Sequence, residues 1–136
     1  MITDAHPLFI HFPIALLSAA IVFDIIYLIT KKPELAHVSW WTMLFGLISS
    51  CASIATGLID DTLIGHFGAV WPLWNNHGVI QILSSFLFLG LFLFRSSKKN
   101  IYSNNRQKFI YLFIGVFAVA SLFYGAHLGA QLSGRI

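Results

Sequence analysis

Four long apolar stretches, separated by short polar breaks, fill most of this 136-residue chain. They cover residues 8–29, 40–59, 77–94 and 109–132. Crossing a hydrocarbon core of about 30 Å takes about 20 mostly apolar residues in a helix, and each stretch meets or approaches that length. In lipid every backbone N–H and C=O must be paired internally, so a strongly apolar run of this length has to be helical. The sequence therefore predicts an all-α fold: one domain, a bundle of four transmembrane helices with up-down topology. Composition agrees, since 10% of residues are charged, against about 25% in ordinary soluble domains. A soluble enzyme, a disordered tail and a disulfide scaffold are excluded. Cys51 is the single cysteine, so neither an intrachain disulfide nor a CxxC or CxxCH element exists.

The first stretch reads as a retained helix rather than a cleaved signal peptide. Asp4 precedes it, while Lys31 and Lys32 follow it, and a signal peptide carries its positive charge in front. The basic residues also set an orientation. With four spans, Lys31, Lys32, Arg95, Lys98, Lys99, Arg106 and Lys108 fall on one side, and Arg135 alone on the other. The positive-inside rule makes the basic side cytoplasmic. A multi-pass protein of the bacterial inner membrane is expected, with both termini outside. Trp40 and Trp41 on the inner side, and Trp71 and Trp74 on the outer side, suit interfacial belts.

This topology gathers the histidines. His6 and His11 lie at the outer start of the first helix, His66 in the outer loop, and His77 at the outer start of the third. His127 lies one to two turns from the outer end of the fourth, and His37 is expected in the inner loop. Ionisable residues within a membrane are costly and by default mark function. His11, His77 and His127, from three helices at one depth, thus read as a shared site. A hydrogen-bonded cluster packing the bundle mouth is the structural alternative.

Neutral imidazole ligates both metals and haem iron, and a four-helix bundle can hold a cofactor between facing helices. Small residues at Gly125, Ala126, Gly129 and Ala130 flank His127 and suit either cofactor clearance or close helix packing. Haem b fits these donors, and so does a bare zinc or non-haem iron site, for which Asp60 could join the histidines; no HxxxH or ExxH spacing at the outer histidines chooses between them. If the cofactor sits in the bundle interior, His11 and His77 form the expected axial pair across it. His6 and His127 would then be supporting donors, and Arg135 a partner for a propionate. Pro13 is expected to bend the first helix and turn His11 inward. Copper has little support, since Met1 and Met43 are the two methionines.

Asp24 interrupts the first stretch. It reads either as a proton relay or as a carboxylate paired with Lys31, Lys32 or a polar group of a neighbouring helix. Pairing is preferred, because one acid with no second makes a poor relay. Asp60 and Asp61, ending the second helix outside, are candidates to hold a histidine's second ring nitrogen. Cys51 lies in mid-membrane without a basic neighbour and reads as an inert small residue.

The run His6-Pro7-Leu8-Phe9-Ile10-His11-Phe12-Pro13-Ile14-Ala15-Leu16-Leu17, followed by Asp24, resembles the HP-x-x-x-HFPIALL…D opening of the DUF2231 membrane proteins. Thr56-Gly57-Leu58-Ile59-Asp60 is similar to that family's TG-L-x-D element. Tyr124-Gly125-Ala126-His127 stands where the family has a double glycine. The resemblance covers almost the whole chain. It implies a four-helix membrane fold and redox company, a cytochrome c or Rieske-type protein, which favours haem over zinc. Together these readings predict a b-type haem protein passing single electrons near the outer face. A non-haem metal protein or a purely structural membrane subunit is the alternative, and the oligomeric state stays open.

Overall fold

The computed structural model describes the backbone of residues 5–64 and 73–132, and the side chains of residues 9–59 and 73–131. Four helices follow one another: α1 (Ala5–Thr30), α2 (Pro33–Ile64), α3 (His77–Ser97) and α4 (Asn105–Leu132). A 3-10 turn, Leu73–Asn75, leads into α3. All four helices are long and apolar enough to cross a membrane. Each packs on the next and α4 returns to α1, which is the expected up-down bundle.

The helices outrun the apolar stretches wherever polar residues cap them. Pro33 and Glu34 open α2, where a missing N–H costs nothing and an acidic side chain meets the positive end of the helix dipole. Residues 33–39 are therefore helical, and His37 lies on α2 rather than in a loop, its Nδ1 3.0 Å from the Pro33 carbonyl oxygen. The α1–α2 connection shrinks to Lys31 and Lys32. Lys31 adopts a left-handed φ of 58° and its N–H donates to the Tyr27 carbonyl at 2.7 Å, closing α1 as a C-terminal cap. The Asn104 side chain accepts from the N–H groups of Arg106 and Gln107 at the start of α4. Asn76 does the same for Val79 in α3. Both are N-caps of the usual kind.

The core runs along the bundle axis through Leu17, Ile21, Met43, Phe88, Tyr111 and Leu122. Large apolar side chains cover the outside as well; Phe113 is 77% exposed, with Phe86 and Phe109 close behind. A helix apolar on all sides fits lipid rather than water.

Gly46 sets the closest approach of α1 to α2. A methyl group there would lie 2.6 Å from Leu17 Cδ2 and 3.2 Å from the Leu17 backbone nitrogen. The side chain could turn away, but the backbone could not. Gly46→Ala is therefore expected to destabilise the bundle by about 1–3 kcal/mol, the usual cost of overpacking. At Gly115 the tight contact is Ile21 Cδ1, the far end of a flexible chain, so Gly115→Ala should cost clearly less. Unfolding of the purified protein by sodium dodecyl sulfate, followed by circular dichroism, measures both.

Candidate functional site

Two polar regions occupy opposite ends of the bundle. At the end carrying the basic turns, Asp24 of α1 is fully buried and Arg95 of α3 is 7% exposed. Arg95 Nη1 lies 3.0 Å from Asp24 Oδ2. The Tyr111 hydroxyl donates to the same carboxylate oxygen at 2.7 Å, and the Tyr102 hydroxyl donates to Oδ1 at 2.6 Å. Arg95 also donates to Ser39 Oγ at 2.7 Å and to the Ala36 carbonyl at 2.6 Å. Ser39 Oγ in turn donates to the Ala20 carbonyl at 2.8 Å. One connected network thus ties together all four helices and the α3–α4 connection. Burial, reinforced by the Asp24 charge, pushes the Tyr102 hydroxyl up from its usual range, so it stays a donor.

This arrangement answers the question posed by Asp24. Its partner is a polar group of a neighbouring helix, not Lys31 or Lys32, both of which are exposed. With three donors on its two oxygens the carboxylate is held in place, which suits a structural clasp. Arg95 lies on the expected basic side, in the last turn of α3, but its side chain is turned inward and buried rather than exposed. Lys31, Lys32, Lys98, Lys99 and Arg106 remain exposed at this end. Sequence reading missed Arg95, Ser39, Tyr102 and Tyr111 as a unit. A usable signal existed, since an acid inside a span requires a cation at its own depth, and Arg95 directly follows an apolar stretch.

The histidines lie at the other end. Helix contacts fix their depth: Ile21 of α1 meets Gly115 of α4, and His77 of α3 meets Gly129 of α4. His11 lies ten residues from Ile21 and His127 twelve from Gly115, about 15 Å and about 18 Å at about 1.5 Å per residue. His77, opposite Gly129, is another two residues, or about 3 Å, further out. The three histidines thus lie toward the same end of the bundle, spread over about 6 Å of depth.

Their directions differ. In α3 the buried residues Ser84, Phe88, Leu91 and Arg95 mark the inward stripe, and at about 100° per residue His77 falls on it. Its ring is half-buried against Gly129. In α1 the inward stripe runs through Ile14, Leu17, Ile21 and Asp24. His11 lies about 120° from Leu17 on the flank toward α4, and it is exposed. His127 lies about 140° from Leu122, on the flank away from Gly125, which faces α3; it too is exposed. His11 and His127 therefore share one outer face, at the α1–α4 seam, while His77 faces the interior. The expected inward turn of His11 is not found: α1 runs through Pro13, Pro13 is buried and His11 is not.

Beneath the His11–His127 pair the seam is lined by small or apolar side chains, Ala15, Val22, Val116, Ala120 and Phe123, all exposed. Ser18, on the same flank as His11, carries a buried hydroxyl without a hydrogen-bond partner. Among the described residues no group of three or more His, Cys, Asp or Glu comes together as a metal cage. Cys51 is exposed on the apolar surface. The side chains of His6, Asp60, Asp61, His66, Trp71 and Arg135 lie outside the described residues.

No curated protein and no solved structure matches the chain. A family described as predicted membrane protein (DUF2231) matches residues 3–136. The opening motif, the four apolar helices and this nearly full-length match agree, and the chain belongs to the DUF2231 family of predicted membrane proteins.

Proposed function

We propose that this membrane protein binds b-type haem on the α1–α4 face and transfers single electrons near the outer side of the bacterial inner membrane. The observation that carries the reading is the donor set: two exposed histidines, His11 and His127, on neighbouring helices at one depth. Zinc favours four protein ligands, or three where a water completes the site, and among the described residues no such group forms. An iron already held by the four nitrogens of a porphyrin needs only two more, and histidine is a standard axial ligand. Ala15 and Ala120 leave room beside the pair, while Val22, Val116 and Phe123 keep the seam apolar. When bound, haem supplies the one-electron chemistry; the protein supplies ligation, orientation and a dry surround.

The exposed Lys31, Lys32, Lys98, Lys99 and Arg106 of the basic turns support a cytoplasmic position for that end under the positive-inside rule. Both termini and the histidines then face outward, where a cytochrome c or Rieske-type protein is the fitting redox partner. In this reading His77 packs the mouth of the bundle, and His6 and Arg135 stay candidates for contacts with the haem edge.

A visible spectrum of protein purified in mild detergent tests the proposal. The expected result is a Soret band that shifts and sharpens on dithionite reduction, with resolved visible bands. Colourless protein holding stoichiometric zinc or iron would overturn haem in favour of a bare metal site. Colourless, metal-free protein that also fails to take up added haemin would leave a structural subunit. A reporter active only in the cytoplasm should work when inserted near Asn100 and stay silent after Ile136; the reverse would overturn the orientation.

A further inference from the structure

On a different face, between α3 and α4, a groove of about 620 Å³ opens beside the histidine end. Its rim carries Trp74, Phe86, Phe117 and Tyr124, all substantially exposed. The Tyr124 hydroxyl donates to the Trp74 carbonyl at 3.3 Å, joining the two sides of the rim. The volume lies within the ~300–1,000 Å³ typical of small-molecule sites. Apolar seams between membrane helices usually hold lipid chains, and apolar lining alone would say no more than that.

Ser84 says more. It lines the groove, is 1% exposed, and its hydroxyl has no hydrogen-bond partner. Serines in apolar helices commonly satisfy their hydroxyl by donating back to a carbonyl one turn earlier. Ser49, Ser50, Ser85 and Ser121 of this chain all do so. Ser84 does not. A buried hydroxyl left unpaired carries a desolvation penalty, and each such group in a folded protein calls for an explanation. An acyl chain filling the groove would offer it nothing.

We propose that the α3–α4 groove binds a membrane-soluble quinone, its ring among the aromatic side chains and one carbonyl oxygen accepting from Ser84 Oγ. A quinone ring is flat, suiting contact with Phe86, Phe117 and Trp74, and it carries the carbonyl acceptors that the orphan hydroxyl lacks. Leu83 and Phe86 at the open side are more than half exposed, so an isoprenoid tail can leave into the hydrocarbon without crossing protein. The inference does not rest on haem binding, because the groove and the His11–His127 face share no residue.

Equilibrium dialysis tests it, using the full chain in phosphatidylcholine nanodiscs and a short-chain ubiquinone analogue, with empty nanodiscs as reference. Saturable binding of one quinone per chain is expected. Ser84→Ala should weaken it about five- to tenfold, the loss of one hydrogen bond worth about 1 kcal/mol. The same change should leave the melting temperature of quinone-free protein level or higher, since it removes an unpaired hydroxyl. Leu83→Trp, at an exposed position, should fill the groove and abolish binding while the helical circular dichroism is kept. Uptake no greater than in empty nanodiscs would overturn the proposal. So would stoichiometric binding unchanged in both variants, or equal competition by a saturated long-chain alcohol, the sign of an ordinary lipid chain.

Discussion

Arg95→Leu is expected to destabilise the bundle by about 3–5 kcal/mol, the range for removing one partner of a buried ion pair. The Asp24 carboxylate is fully buried, and without Arg95 no other basic side chain is within 4 Å of it among the described residues. Two tyrosine hydroxyls would remain on it, too little to balance a charge taken out of water. Asp24→Leu should be damaging for the converse reason, leaving the guanidinium with Ser39, Ala36 and Tyr111 alone. The double variant Asp24→Leu/Arg95→Leu should lose less than either single change, because no buried charge is left unmatched. Sodium dodecyl sulfate titration of the four proteins, read by circular dichroism, gives the coupling. Losses that simply add in the double variant would show that the pair acts as two independent contacts. The clasp would then lose its central element.

His11→Ala and His127→Ala should each abolish the low-spin haem spectrum, whereas His77→Ala should shift it modestly and keep the haem. The contrast follows from placement. His11 and His127 share the α1–α4 face, while His77 is half-buried against Gly129 on the inward stripe of α3. Each alanine variant should keep its helical circular dichroism, so loss of colour would report ligation rather than unfolding. Loss of haem in His11→Ala and His77→Ala, with retention in His127→Ala, would restore an axial pair across the bundle interior. Retention in all three would remove these histidines from the ligand set altogether.

The spans were readable because the physics that sets them is local. About 20 apolar residues in lipid must satisfy their backbone within the segment, whatever their neighbours do. Residues 8–29, 40–59, 77–94 and 109–132 each proved to lie within one helix. What the stretches understated was length: capping by Asn104 and the opening by Pro33 and Glu34 extend α4 and α2 into polar sequence, which a hydropathy reading passes over. The shared end of the histidines was also legible, since up-down topology converts position along the chain into depth.

Direction around each helix was not. Which flank of α1 meets α4 depends on how Ile21 meets Gly115 and Leu17 meets Gly46, contacts between segments far apart in the chain. That packing, not Pro13, places His11 on the outer face and separates it from His77. Asp24 shows the same division. A lone carboxylate in an apolar helix was sure to need a partner, because an unpaired charge there is costly. Choosing Arg95 over the sequence neighbours Lys31 and Lys32 took the fold, which brings the end of α3 against α1 and leaves both lysines in the turn. Insertion into lipid is thus decided segment by segment, while ion pairs, ligand pairs and grooves are decided between segments.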